Sequence, residues 1–236
     1  LTVLRTAAEA GAVVTNGCVV LDVLKDAKGQ VNGALVEADG VRMTVLATTV
    51  VNAAGVWADD VRELDEERHP DSIRPAKGVH VTVPWAKVRN DIAVVIPVPK
   101  DRRSLFVVPW GPLPDGTFRH CYVGTTDTDY RGSLDDPQCT KDDIDYVLAA
   151  LNFSITTGVT AADVTGVWAG LRPLVKAASS GRTADLSRHH KVHTSPSGLI
   201  TITGGKLTTY RAMAEDTVDA VLRRLGRKGR CRTRNL

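Results

Sequence analysis

Apolar positions along this chain switch between two periods, and the switches mark out its elements. Leu1, Leu4, Ala7 and Ala8 recur at helical spacing and stop at Gly11. Ala12–Val14 and Cys18–Leu21 are short apolar runs that predict one strand broken by a turn at Thr15-Asn16-Gly17. Strand-like runs divided at Lys28-Gly29 and Asp39-Gly40 follow, and the second divider is a two-residue hairpin signal. A three-stranded meander from Val23 to Leu46 is expected. Val50–Gly55 reads as a buried strand ending on small residues. A helix after it should turn Trp57, Val61 and Leu64 inward and Asp59, Asp60 and Glu63 toward water.

The period changes again after the charged, proline-bearing stretch 65–75, which reads as a crossover into a second lobe. In Lys77–Pro84, Val79, Val81 and Val83 share one face, leaving His80 and Thr82 on the other. Further strands are expected near Ala93–Val98, Ser104–Pro109 and His120–Gly124. A short helix should run from Asp142 to Leu151 with Ile144, Val147, Leu148 and Leu151 toward the core, and Val164–Pro173 is extended. Residues 177–196 are polar and read as a loop returning to the first lobe. Leu199–Thr203 is a strand, and beyond Gly204-Gly205 the residues Tyr210, Met213, Ala214, Val218, Val221, Leu222 and Leu225 predict a helix with one apolar stripe. The expected class is therefore α+β. Residues 1–68 form a first lobe with the meander, 69–196 a second lobe with a mixed or antiparallel sheet, 197–226 the return strand and helix of the first, and 227–236 a basic linker.

Composition changes this picture little: 236 residues, 43% apolar and 24% charged, suit a globular protein with a substantial core. The uncharged stretch Met43–Ala58 is shorter than the ~20 apolar residues of a membrane span. Cys18, Cys121, Cys139 and Cys231 are scattered, which argues against a zinc site or a disulfide scaffold and suits a reducing compartment. Charge is more informative. Arg223, Arg224, Arg227, Lys228, Arg230, Arg232 and Arg234 supply seven positives, and taking these seven from a net charge of +3 leaves −4. No aromatic residue interrupts the basic run, so it reads as a solvated helix end running into a linker rather than a nucleic-acid surface. The chain has no starting methionine and opens in mid-helix, which reads as an excised piece of a longer protein.

Four places carry candidate chemistry. Gly204-Gly205-Lys206-Leu207-Thr208-Thr209 joins a strand to a helix, so backbone N–H groups and the positive helix end face whatever lies at the turn. A plain strand-to-helix turn would use the same two glycines, but the added lysine and threonines make the string more specific. Asn52-Ala53-Ala54-Gly55 leaves room for a ligand against the backbone, and close strand–helix packing would select the same small residues. Arg172, between Leu171 and Pro173, is costly to bury alone and should meet a carboxylate, a phosphate or a substrate oxygen. A lone strand histidine such as His80 is as a rule structural, and its place off the aliphatic face favours a polar site.

Taken in order, Val51–Trp57, Lys77-Gly78-Val79-His80, Val123-Gly124-Thr125-Thr126-Asp127, Gly170-Leu171-Arg172-Pro173 and Gly204–Arg211 resemble FAD-dependent glycerol-3-phosphate dehydrogenases, within the D-amino-acid-oxidase-like flavoproteins. The resemblance covers nearly all of 1–226. It departs from the family in lacking the strand–Gly-x-Gly-x-x-Gly–helix unit that holds the FAD pyrophosphate. The resemblance implies oxidation of sn-glycerol 3-phosphate to dihydroxyacetone phosphate, with hydride passing from C2 to flavin N5 and electrons on to a quinone. It also implies a cytoplasmic protein with a peripheral contact at the inner face of the membrane, and no nucleic-acid partner. It makes His80 the base and Arg172 the holder of the substrate oxygen, with Lys206, Thr208 and Thr209 on the phosphate. Cofactor contacts fall to Asn52, Ala53, Ala54, Gly55, Trp57, Gly204, Gly205, Lys206, Leu207 and Thr208; no metal is implied. A related oxidoreductase acting on a hydroxy acid or an amine, or a fragment that binds neither FAD nor substrate alone, are the other readings.

Overall fold

The computed structural model describes residues 1–99, 103–176 and 189–235. It mixes helices with three sheets and divides into two units, Leu1–Asp71 with His189–Leu236, and Ser72–Arg188.

The first unit begins with α1 (Thr2–Glu9), none of whose residues is buried. The antiparallel meander β1 (Cys18–Lys25), β2 (Val31–Ala38) and β3 (Val41–Leu46) follows. Cys18–Leu21 thus belongs to the first meander strand, and 12–14 lies in no strand. The reason is pairing: Cys18, Val19 and Val20 face Ala38, Glu37 and Val36 on β2, which offers a ladder that 12–14 lacks. Asp39 and Gly40 turn β2 into β3 with φ of 50° and 74°, the left-handed pair a two-residue hairpin needs. β4 is short, Val51–Asn52, and lies parallel to β12 (Ile200–Thr203), itself antiparallel to β11 (Lys191–Thr194). Part of the stretch expected as loop is therefore strand β11, while 177–188 lies outside the described residues.

α2 (Ala58–Glu66) packs Val61 and Leu64 against Val23, Val31 and Leu199. Two of its carboxylates point inward as well. Asp59, expected in water, is buried with Arg62 Nη1 3.7 Å away. Asp65 is buried and accepts hydrogen bonds from Ser195 Oγ (2.7 Å) and Ser197 Oγ (2.5 Å), with Lys25 Nζ 3.3 Å away. Burial works to raise the Asp65 carboxyl, but these hydroxyls and Lys25 outweigh it and hold it below its usual range. α4 (Tyr210–Arg224) also differs from its expected stripe. Thr217 and Ala220 are its buried residues, while Tyr210 and Val218 are exposed. The Thr217 hydroxyl bonds the Met213 carbonyl (2.7 Å), so a threonine can lie inward at no hydrogen-bonding cost.

The second unit is one sheet with a helix on one face. Its strands are β5 (Ile73–Pro84), β6 (Val94–Pro97), β7 (Ser104–Pro112), β8 (Phe118–Gly124), β9 (Thr128–Asp129) and β10 (Gly166–Val175). The ladder order is β10-β5-β8-β7-β6, with β9 on β5. Alternation decides what each face holds. Val79, Val81 and Val83 are fully buried; Val81 and Val83 pack with Val107, Cys121, Val123 and the inner side of α3 (Lys141–Ser154), chiefly Val147, Leu148 and Leu151. Thr140 caps α3 in a reciprocal box with Asp143, closing the orphan N–H groups of its first turn. The opposite face buries Ala76 and Leu174 at one end and, among the described residues, leaves Trp168 and Gly170 exposed further along.

Candidate functional site

In the first unit, β4 and β12 run parallel, with Val51 beside Ile200 and Asn52 beside Thr201, so their carboxyl ends point the same way. That is the end at which open α/β sheets present ligands. Asn52 is buried and fixes the turn that follows: its Nδ2 donates to the Ala58 carbonyl (2.8 Å), and its Oδ1 accepts from the Ala54 amide (3.1 Å). Its side chain is thus spent on the turn, and the backbone of Ala53, Ala54 and Gly55 is what the turn offers. Gly55 has φ of 62°, and a Cβ there would meet none of the described residues within 4 Å. Gly204 and Gly205, with φ of 72° and 81°, turn β12 into α4. Lys206, Leu207 and Thr208 are exposed at this mouth, as is Trp57 beyond the other turn. The Thr209 hydroxyl is engaged locally, accepting from the Lys206 amide (3.2 Å) and donating to the Lys206 carbonyl (3.0 Å). Two bare-backbone turns at one sheet end, a positive helix end and a lysine suit an anionic, aromatic cofactor such as FAD.

The second unit carries His80 and Arg172 on the face of its sheet that points away from α3. Arg172 Nη1 donates to the Thr126 carbonyl (3.2 Å) and Nη2 to Thr125 Oγ1 (3.1 Å), and Asp127 Oδ1 lies 3.8 Å from Nη1. Thr126 is itself buried and pinned to β5, its hydroxyl accepting from the Val79 amide (3.0 Å). The turn after β8 therefore aims the guanidinium. His80 stacks on Trp168, ring centroids 5.0 Å apart and planes 9° from parallel, and Tyr122 stands edge-on to both. Gly124 leaves room for the imidazole: a Cβ there would lie 2.4 Å from His80 Cδ2. Burial, and then the Arg172 charge, push the His80 pKa below its ordinary value, so the ring is neutral at pH 7.

The structure thus brings His80 and Arg172 onto one face, and sets Asn52–Gly55 beside the strand that leads into Gly204–Thr208; the two groups lie in different units. Sequence reasoning gave no role to Thr125, Thr126, Asp127, Tyr122 or Trp168. For Trp168 the signal was present, since period-two alternation puts it on the Arg172 face of β10. The Thr125–Asp127 turn had no such signal, because its place beside β10 depends on β5 lying between β8 and β10.

Residues 1–214 match the DAO family of FAD-dependent oxidoreductases, and the chain belongs to that family. It is 42% identical over 223 residues to glycerol-3-phosphate dehydrogenase 2 of Mycobacterium tuberculosis, covering 94% of this chain and 36% of that protein. It is 40% identical over 227 residues to the aerobic glycerol-3-phosphate dehydrogenase of Staphylococcus aureus, covering 94% of this chain and 39% of the relative. Among solved structures, the glycerol-3-phosphate dehydrogenase of Bacillus halodurans complexed with FAD is 36% identical with a TM-score of 0.81 over 98% of this chain and 43% of its own. Glycine oxidase from Bacillus cereus, 18% identical with a TM-score of 0.60, shares the fold. The chain spans less than half the length of each of these dehydrogenases. Among the described residues, no helix is long and apolar enough to cross a membrane.

Proposed function

We propose that this chain is part of an FAD-dependent dehydrogenase that oxidises sn-glycerol 3-phosphate to dihydroxyacetone phosphate, with electrons passed to a quinone at a peripheral membrane contact. The observation that carries the reading is the aimed Arg172 guanidinium on the same sheet face as the stacked His80. Oxidising a secondary alcohol requires a group to take the hydroxyl proton and a donor to hold the oxygen as it becomes a carbonyl. The neutral His80 imidazole serves as proton acceptor at the C2 hydroxyl, and Arg172 donates to that oxygen. Bound FAD supplies the acceptor for the electron pair. Lys206 and the Thr208 hydroxyl, exposed at the mouth of α4, provide the charge and hydrogen bond a phosphate monoester takes. Lys206 and the positive end of α4 also favour negative charge at the turn after β12. Identities of about 40% to proteins named glycerol-3-phosphate dehydrogenase support this substrate over a hydroxy acid or an amine.

The test is dye-linked turnover by the full-length holoenzyme with sn-glycerol 3-phosphate, glycerol, lactate and glycine. Only the phosphate ester should be oxidised efficiently, and Arg172→Met should lower kcat on the order of 10²-fold. Equal rates with glycerol or lactate would refute the substrate assignment.

A further inference from the structure

On the face of the second unit's sheet that points away from α3, β10 presents Trp168, Gly170 and Arg172 in alternation, and their partners on β5 are His80, Gly78 and Ala76. Two glycines therefore face each other across the ladder, yet their surroundings differ. Gly78 is buried, and a Cβ there would lie 2.6 Å from both Arg172 Nη1 and Nη2 and 2.7 Å from Thr125 Oγ1. It is the bed on which the guanidinium lies. At Gly170 a Cβ would meet no heavy atom of the described residues within 4 Å, and the backbone is outside the left-handed region that favours glycine. Packing and backbone geometry thus permit a side chain at Gly170. Glycine in a strand interior weakens the strand, and it recurs where a ligand approaches the backbone closely. The bare strip runs between two groups with chemistry to offer. At ~3.3 Å per residue, the Cα of Gly170 stands about 7 Å from that of Trp168, while the guanidinium lies over its register partner Gly78.

We infer that Gly170 is a specificity-determining residue: the backbone between the His80–Trp168 stack and the Arg172 guanidinium is the floor on which a small, anionic alcohol lies, and a side chain there excludes it. The inference rests on the proposed function for the name of the substrate, but not for the position of the floor. It also separates two kinds of glycine. Adding a methyl at Gly78 displaces the guanidinium, whereas adding one at Gly170 leaves every neighbouring side chain in place and removes only ligand space.

The experiment compares wild type, Gly170→Ala and Gly170→Val in the full-length holoenzyme. Dihydroxyacetone phosphate binding is measured by calorimetry, KM and kcat with sn-glycerol 3-phosphate by dye-linked assay, and thermal stability by scanning fluorimetry. Gly170→Val should raise both Kd and KM on the order of tenfold or more, Gly170→Ala by less, with the melting temperature unchanged or raised. Wild-type Kd and KM in both variants would overturn the inference, and so would a lower melting temperature with unaltered binding. Should wild type oxidise lactate or glycine instead of the phosphate ester, the functional reading fails by itself. The same variants assayed with that substrate then decide the role of Gly170.

Discussion

Lys77→Met should destabilise the second unit more than any exposed substitution in it, because it strands a buried charge. Lys77 Nζ lies 2.6 Å from Asp143 Oδ2, and their side chains are only 9% and 7% exposed. Nζ also donates to the Gln138 carbonyl (3.1 Å), while Asp143 Oδ2 accepts from the Thr140 amide (2.9 Å) and hydroxyl (2.8 Å). One carboxylate thus neutralises the lysine and closes the first turn of α3. Removing one partner of such a pair costs about 3–5 kcal/mol, whereas neutralising both costs far less. At roughly 4 °C per kcal/mol for a unit of this size, Lys77→Met should lower its melting temperature by about 12–20 °C. Lys77→Met/Asp143→Asn should recover most of that loss, since the amide still accepts from Thr140. Tryptophan fluorescence during urea or thermal unfolding is a suitable probe, because Trp85, Trp110 and Trp168 belong to this unit and Trp57 to the other. Burial works to raise the Asp143 carboxyl, but Lys77 and Thr140 outweigh it and hold it below its usual range. The stabilisation is therefore present above the unfolded value of ~3.9 and lost as pH falls through the folded one. A transition within 1 kcal/mol of wild type for Lys77→Met, or strict additivity in the double variant, would refute the reasoning.

Two further outcomes follow from the second unit. His80 should titrate below the ordinary ~6.5 in histidine NMR spectra, and Arg172→Met should move it upward. Between the folded and unfolded values the unfolded chain binds the proton first, so stability rises with pH across that window; a midpoint at or above 6.5 would contradict this. Cys121 is fully buried, its pKa pushed up to about 11, with Sγ 3.0 Å from Asn90 Oδ1. Iodoacetamide at pH 8 should therefore label Cys18 and Cys231 in the native chain and reach Cys121 only in denaturant, with mass spectrometry as readout.

Much of the fold was legible because the relevant signals are local. Val79, Val81 and Val83 alternate, and Asp39-Gly40 supplies the two positive φ angles of its hairpin. What stayed illegible depends on partners distant in sequence. The α4 stripe was misjudged because a threonine can go inward once its hydroxyl bonds its own helix, and no hydropathy pattern shows that. Asp59 reads as a solvent-facing carboxylate and Asp65 as the start of a charged crossover, yet Arg62, Lys25, Ser195 and Ser197 make burial of both tolerable. Alternation and local apolarity singled out His80 and Arg172 among the polar strand residues, and the family resemblance supplied their roles. Only the register of β10 on β5 shows that the two share a face with two glycines between them.

The pairing of β4 with β12 joins residues 149 apart in sequence, with the entire second unit between them. Yet the first residue of β5 is the register partner of the last residue of β10, Ile73 opposite Val175, so that unit closes its own ends once formed. The effective loop between Val51 and Ile200 then shrinks to about a third of its length, which lowers the entropic cost of joining them by roughly 1 kcal/mol. On the ribosome the inserted unit is complete before β12 emerges, so the discontinuous sheet assembles around a finished insert.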